Sequence, residues 1–251
     1  MPASALLLGA SAAVRAASLN LCADEYLLLL AKPAEVVGVS YLARDPAESM
    51  LWQRARHYPG NRGSIEEVIE ARPNVVLTMG GGGRSTALLA RRLKLTSVDL
   101  KLPASLDDVK ANLELVARTL GDERRALPWL ERLASLRRTA PADGKDGAFV
   151  TGGGLSVAPG SLGARWMRLA GFSQRPLGGA RLTLEDLVIA PPKVLIVSNY
   201  RGNQYSRGQV WLNHPLVIRS GARSLATDGR PWTCLGPTMI PEIERLRGIA
   251  R

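Results

Sequence analysis

Short apolar runs alternate with amphipathic stretches over the first part of the chain. The apolar runs have the length of a strand and occupy residues 15–21, 36–39, 75–79 and 96–100. The amphipathic stretches have helical spacing and occupy residues 24–30, 64–71 and 84–93. Ser64 is a suitable N-cap for the second of these helices, and Pro33 follows the end of the first. Strands that alternate with helices predict a parallel sheet with helices on both faces.

A different pattern covers residues 105–139, where strand signals are nearly absent. Apolar residues recur at intervals of three and four from Leu106 to Leu120 and again from Leu127 to Leu136. This spacing predicts one long helix that bends near Gly121 or Pro128. Alternation then returns, and the predicted strands and helices occupy residues 149–151, 161–170, 194–198 and 237–247.

Two segments on either side of the long helix resemble each other. Residues 64–77 and 183–196 each begin with a Ser or Thr cap, continue with an apolar residue and a Glu, and end in Pro and an apolar run. Chance similarity between two helix-turn-strand units is the alternative explanation. The repeat predicts an α/β fold of two Rossmann-like lobes, each a parallel sheet flanked by helices, joined by one long backbone helix. The lobes are expected at residues 15–103 and 141–251, with the helix at residues 104–140.

The formal net charge of +11 indicates either an anionic partner or a solvated basic surface. The Arg and Lys residues are spread along the chain and form no recognised nucleic-acid-binding module, so no nucleic acid is expected as a partner. A cleft that attracts anions is the more specific of the two interpretations.

Two cysteines, Cys22 and Cys234, are too few for a disulfide framework or a four-thiolate zinc site. A single bridge, two free thiols and two side chains that line a cleft are the three alternatives.

Residues 3–14 are apolar and rich in small side chains, like the hydrophobic region of a secretory signal peptide. The positively charged segment that normally precedes such a region is missing, and a short buried helix is the alternative. The run is too short to span a bilayer. We expect residues 1–14 to be the remnant of a signal peptide.

Motifs for catalysis or cofactor binding are incomplete in this sequence. The Gly-rich stretch at residues 80–83 lacks the spacing and the Lys of a phosphate-binding loop, and residues 152–154 lack the third Gly of a dinucleotide fingerprint. His57 and His214 are unrelated by spacing and do not suggest a dedicated zinc site. No Gly-x-Ser-x-Gly elbow is present in the sequence. We therefore expect no catalytic residue, no cofactor and no metal ion held by side chains.

Polar, aromatic and Arg residues concentrate after the ends of the predicted strands. In open α/β sheets, ligands bind beyond the carboxyl ends of the strands. Arg binds anionic oxygens through its planar guanidinium, and Trp and Tyr offer flat faces to a large planar ligand. The predicted ligand-binding residues are Asn20, Cys22, Tyr41, Arg44, Arg84, Tyr200, Arg201, Tyr205, Trp232 and Cys234.

Several of these segments resemble the periplasmic binding proteins that serve ABC importers for ferric siderophores, haem and cobalamin. The similar segments are residues 17–25, 37–40, 61–77, 158–172, 184–192 and 232–237. Their order and spacing are more specific than any one segment. The Gly-rich loop at residues 80–83 departs from the family pattern because it contains no aromatic residue.

The resemblance implies a monomeric periplasmic receptor, not an enzyme, that delivers a metal chelate (a ferric siderophore, cobalamin or haem) to the permease of an ABC importer. It assigns Glu66 and Glu185 to docking on basic residues of that permease, although each acid also suits the first turn of a helix. It further implies that Cys22 and Cys234 approach the cleft. A bridge between them would tie the two lobes together, and an oxidising periplasm would preserve it.

The main alternative is an α/β enzyme or chelate-handling protein that uses Cys22 and Cys234. A basic nucleic-acid-binding protein is a second alternative. The evenly spread charge and the aromatic residues in the cleft loops argue against both.

Overall fold

The structure, a computed structural model, describes residues 13–81, 83–202 and 204–250, without the side chains of Arg84 and Ala250. The segment expected to be a signal-peptide remnant therefore lies almost entirely outside the described residues.

Two parallel sheets form the frame of the molecule. The first sheet contains β1 (Ala16–Ser18), β2 (Val36–Ser40), β3 (Gly60–Asn61), β4 (Val75–Met79) and β5 (Thr96–Leu100). The second sheet contains β6 (Lys145–Val150), β7 (Phe172–Gln174), β8 (Val194–Ser198) and β9 (Arg223–Thr227). The strand orders are β3-β2-β1-β4-β5 and β7-β6-β8-β9, and all pairings between these strands are parallel.

Helices connect the strands and cover the sheets. The first sheet is accompanied by α1 (Leu21–Leu30), α2 (Trp52–Ala55) and α3 (Gly83–Arg92), and the linking segment contains α4 (Leu106–Thr119) and α5 (Leu127–Arg138). The second sheet is accompanied by α6 (Leu162–Leu169), α7 (Leu184–Ile189), α8 (Arg207–Leu212), α9 (Pro215–Ile218), α10 (Pro231–Cys234) and α11 (Met239–Ala250). Among the helices of the described ranges, none has both the length and the apolar character that a membrane crossing requires. The predicted fold class of two α/β lobes is confirmed, and we call them the N-terminal and C-terminal lobes.

The linking segment is two helices rather than one. Gly121 has a positive φ of 79°, a left-handed conformation that commonly ends a helix, and α4 stops just before it. Pro128 lies in the first turn of α5, where its missing N–H is tolerated. A short 3-10 turn, Glu123–Ala126, joins the helices. The predicted bend near Gly121 is therefore a full interruption, and the prediction of a continuous helix is wrong.

The repeated segments occupy equivalent places in the two sheets. Strands β4 and β8 each pair with the first strand of their own sheet and with its last strand. Before β8, Thr183 caps α7 and forms a capping box with Asp186.

Before β4, the prediction of a helix at residues 64–71 is wrong. These residues form a turn that ends in a 3-10 segment, Ile69–Ala71. Ile65 and Val68 are buried three residues apart, a spacing that a 3-10-type turn satisfies as well as an α-helix does. The strand predicted at residues 15–21 is also shorter, because Asn20 caps α1 by accepting a hydrogen bond from the Ala23 N–H.

One continuous apolar core joins the two lobes. Tyr26 and Leu27 of α1 belong to the same buried cluster as Trp166 and Met167 of α6 and Ile240 of α11. All five side chains are fully buried. The lobes therefore share an interior, and their separation would expose apolar surface to water.

A disulfide bond between Cys22 and Cys234 crosses the same interface. Cys22 lies in the first turn of α1 and Cys234 at the end of α10, with their Cα atoms 5.4 Å apart. The single bridge is thus the alternative that the structure contains, and it ties the N-terminal lobe to the C-terminal lobe. The bond joins residues 212 positions apart in sequence.

Replacing both cysteines, by Cys22→Ala with Cys234→Ala, should lower the free energy of unfolding by about 2–5 kcal/mol. The loss is expected because the bond restricts the unfolded chain across a very long loop. Alanine is chosen because Cys234 is buried and a serine hydroxyl there would be desolvated. Urea unfolding followed by circular dichroism gives the measurement. Reduced wild-type protein is the control and should have the same urea midpoint as the double variant. Equal midpoints for the variant and the oxidised wild type would contradict the prediction.

Candidate functional site

Loops that follow the strands of both sheets meet in a cleft between the lobes. The N-terminal lobe contributes the loop at residues 45–50, which follows β2, and the C-terminal lobe contributes loops that follow β8 and β9. A cavity of about 320 Å³ lies where they meet, and we call it the interlobe cleft. Its lining residues are Pro46, Ala47, Asn199, Tyr200, Arg201, Gly202, Gln204, Asp228 and Arg230.

Glu48 crosses from the N-terminal lobe to the C-terminal lobe at this cleft. Its carboxylate accepts hydrogen bonds from the Tyr200 hydroxyl at 2.6 Å and from Arg201 Nε at 2.7 Å, and Arg201 Nη2 also donates to it. Glu48 is only 5% exposed, so these partners replace the water that a buried carboxylate loses. Burial, together with the negative charge of Glu48, raises the pKa of the Tyr200 hydroxyl.

Arg230 holds the same N-terminal loop by its backbone. The guanidinium pairs with Asp228 through Nε at 2.9 Å and Nη2 at 2.6 Å. Its remaining nitrogen, Nη1, donates to the carbonyls of Pro46 at 2.8 Å and Ser49 at 3.2 Å. Arg230 thus fixes the loop on both sides of Glu48 without using a side chain of that loop.

A second cavity, of about 370 Å³, adjoins the interlobe cleft. Its lining residues are Thr151, Gly152, Leu155, Tyr200, Arg201, Gln204, Tyr205, Ser206, Gly208 and Gln209. Tyr200 and Arg201 line both cavities, and so does Gln204. Each volume lies within the usual range of small-molecule sites, which is about 300–1,000 Å³. The Tyr200–Arg201 pair therefore stands at the centre of the space that a ligand could occupy.

The sequence-predicted site residues divide into two groups. Tyr200, Arg201 and Tyr205 line the cavities, and Tyr205 is 94% exposed. Tyr41 and Arg44 lie on an exposed 3-10 turn of the N-terminal lobe and line neither cavity. The Arg84 side chain lies outside the described part of the chain.

The other predicted site residues have structural contacts. Cys22 and Cys234 are bonded to each other, and the Asn20 amide donates to the carbonyl of Met79 at 3.1 Å. Trp232 is half-buried, with its ring 4.3 Å from that of Phe149 and its Nε1 donating to Thr227 Oγ1 at 2.9 Å. One face of the Trp232 ring is therefore covered by protein.

Sequence reasoning missed Glu48 and Arg230. Glu48 lies four residues after the predicted site residue Arg44, and Arg230 lies two residues before Trp232. Their partners on the opposite lobe, however, lie more than 150 residues away, so no local pattern predicts these contacts.

Glu66 and Glu185 are exposed, one on each lobe. Glu66 lies in the turn that precedes β4, and Glu185 lies in the first turn of α7, which precedes β8. Because β4 and β8 hold equivalent positions, the two acids occupy corresponding places on the two lobes.

Two adjacent carboxyl groups are buried where α1 meets the C-terminal lobe. Asp24 accepts hydrogen bonds from the hydroxyls of Ser18 and Ser40 and from the Ser40 N–H at 3.0 Å. Glu25 packs so closely on the other lobe that a Cβ at Gly236 would lie 2.6 Å from its Oε2. Burial raises the pKa of Asp24 to about 7 and that of Glu25 to about 8.

Neither a family model nor a curated protein sequence matches the chain. Solved structures do match it over almost its whole length. The periplasmic haem-binding protein HutB of Vibrio cholerae is 16% identical with a TM-score of 0.72, over 94% of this chain and 98% of that one. The chain has the fold of the periplasmic binding proteins.

Two further structures share this periplasmic-binding-protein fold. The periplasmic haem-binding protein RhuT from Roseiflexus sp. RS-1, in apo form, is 22% identical with a TM-score of 0.66, over 94% of this chain and 97% of that one. The periplasmic vitamin B12-binding protein BtuF of Vibrio cholerae is 17% identical with a TM-score of 0.62, over 94% and 96%. At sequence identities of 22% or less, the structural similarity establishes that the fold is shared.

The free energy of unfolding should fall as the pH rises from about 5 to about 8. The folded protein keeps the proton of Asp24 up to about pH 7 and that of Glu25 up to about pH 8, whereas the unfolded chain, with ordinary carboxyl pKa values near 4, has already released both. The folded state, which binds more protons than the unfolded chain, loses stability relative to it as the pH rises. Urea midpoints across the pH range measure the slope, and Glu25→Gln should make it shallower. Glu70→Gln, at an exposed position, is the control; an unchanged slope in Glu25→Gln would refute the assignment.

Proposed function

We propose that the protein is a periplasmic solute-binding protein that captures a metal chelate and delivers it to an ABC importer. The observation that supports this most directly is the interlobe cleft, which presents Tyr200, Arg201 and Arg230 between two lobes of the periplasmic-binding-protein fold. The similar structures named above are haem- and vitamin B12-binding proteins by their descriptions. Binding rather than catalysis is the proposed role, with the protein acting as a monomer.

The chemistry of the cleft favours an anionic chelate. Arg201 keeps 45% of its side chain exposed, and a guanidinium binds carboxylate or other anionic oxygens through two parallel hydrogen bonds. The net charge of +11 adds a long-range attraction for anions. A ferric siderophore or haem fits this charge better than cobalamin, which is the third candidate.

The shared core and the Cys22–Cys234 bond suit a receptor whose lobes move little on binding. A receptor of this kind presents both lobes to its importer in a nearly fixed arrangement. Glu66 and Glu185, exposed at corresponding places on the lobes, are then positioned to contact basic residues of a permease. This docking role is part of the proposal.

The alternative of an enzyme that uses Cys22 and Cys234 is not favoured, because both sulfurs are engaged in the disulfide. Across the described ranges, no group of three or more His, Cys, Asp or Glu side chains is arranged to hold a metal ion. The metal is therefore proposed to arrive within the chelate.

Tryptophan fluorescence should be quenched saturably, at one-to-one stoichiometry, by one of haemin, cyanocobalamin or a ferric siderophore. Arg201→Ala should weaken binding of that chelate by at least about tenfold, the usual effect of losing a charge-assisted contact. Arg92→Ala, which removes an exposed charge from α3, is the matched control and should bind as the wild type does. If no chelate in the panel binds, the metal-chelate assignment fails.

Reversing the charge of both proposed docking acids, by Glu66→Lys with Glu185→Lys, should leave the affinity for the chelate unchanged and abolish its delivery to the importer. The reason is that like charges would then face each other across the contact with the permease. Uptake of the chelate into vesicles that contain the cognate importer is the measurement. Glu70→Lys makes the same change at an exposed position of the N-terminal lobe and should transport normally. Normal uptake by the double variant would exclude the docking role.

A further inference from the structure

The Glu48 carboxylate accepts hydrogen bonds from the Tyr200 hydroxyl and the Arg201 guanidinium, the donors that an anionic ligand would need. It comes from the N-terminal lobe, whereas Tyr200 and Arg201 belong to the C-terminal lobe. We propose that Glu48 is an internal occupant of an anion site formed by Tyr200 and Arg201, and that a carboxylate-bearing ligand displaces it on binding. The inference rests on the proposed binding function, which it extends to the chemical class of the ligand and to the residue that selects it.

The geometry of the contact is that of a bound carboxylate. Two guanidinium nitrogens of Arg201 donate to Glu48 Oε1, and the Tyr200 hydroxyl donates to Oε2. Both oxygens of the acid are therefore engaged, as they are when a protein binds a free carboxylate. The same two residues line both cavities, so the site can be reached from the space that a ligand would fill.

Glu48 belongs to a loop that is anchored without the Glu48 side chain. Residues 45–50 contain neither helix nor strand, and local hydrogen bonds from Ala47 and Glu48 to Asp45 define their turn. Arg230 holds this segment through the carbonyls of Pro46 and Ser49, independently of the Glu48 side chain. The side chain can thus leave Arg201 while the backbone of the loop stays attached to the C-terminal lobe.

The exchange favours anionic ligands for an energetic reason. When Glu48 leaves, its carboxylate regains water, but the partly buried Tyr200–Arg201 pair must find a new acceptor. A ligand with a carboxylate supplies that acceptor, whereas a neutral ligand leaves the guanidinium without its anion. Glu48 therefore lowers the affinity for every ligand that displaces it and discriminates most strongly against neutral ligands.

The variant Glu48→Gln tests the proposal because it keeps the size of the side chain and removes its charge. Haemin, which carries two carboxylates, should bind the variant about tenfold more tightly than the wild type, the effect of removing one competing charge-assisted contact. Citrate, a carboxylate without a metal, should bind the variant more tightly as well. Glu70→Gln changes an exposed acid of the same lobe and should alter neither affinity. Weaker or unchanged binding of both probes by Glu48→Gln would overturn the proposal.

A second measurement needs no ligand. In the free protein, hydrogen exchange of the backbone at residues 199–202 should be faster in Glu48→Gln than in the wild type, because the contact that holds this loop to the N-terminal lobe is weakened. Unchanged exchange would show that Glu48 does not hold the loop and would overturn the proposal. If haemin and the other chelates bind neither protein while citrate binding and exchange respond as expected, the metal-chelate function fails and the anion site stands.

Discussion

The arrangement of the two lobes depends on one interface, in which α1 of the N-terminal lobe meets the C-terminal lobe at α10 and at Gly236, just beyond it. The apolar core passes through this interface without interruption, and the Cys22–Cys234 bond closes it covalently. Opening the molecule there would expose large side chains such as Tyr26 and Trp166 to water. Separating the lobes at this interface would therefore cost much more free energy than exchanging the polar contacts at the cleft.

Hydrogen bonds and ion pairs hold the lobes together at the cleft, whereas apolar packing holds them together in the core. Arg230 and Arg201 reach across it to backbone carbonyls and to the Glu48 carboxylate. Such contacts are strong when water is excluded but can be exchanged for equivalent contacts with a ligand. Apolar packing offers no such exchange. The division between an apolar base and a polar cleft lets one molecule be rigid where the lobes join and adaptable at the proposed binding site.

The fold was largely predictable because its signals are local. Strands β4 and β8 are buried and contiguous in sequence, so their apolar runs identify them and the repeat places them correctly. Gly121 predicted a bend in the linking helix, but the structure has two separate helices at this point. Residues 64–71 were predicted wrongly because a spacing of three between Ile65 and Val68 fits a 3-10-type turn and an α-helix equally well.

The candidate site was less predictable than the fold. Tyr200 and Arg201 stood out as polar residues after a strand, but no feature of the sequence around Glu48 identifies it as their partner. Its role depends on a contact across 152 positions, which only the packing of the two lobes creates. Residues on one strand end can be proposed from a pattern, whereas pairs that face each other across a cleft require the three-dimensional structure.

The position of the disulfide also constrains how the chain reaches its native state. Only two cysteines occur in this sequence, so a single pairing between them exists and its formation requires no reshuffling of wrong bonds within these residues. Since Cys234 follows β9 in the sequence, the bond cannot form until the strands of both sheets have been synthesised. Covalent closure thus follows the synthesis of both sheets and joins two lobes whose strands are already present.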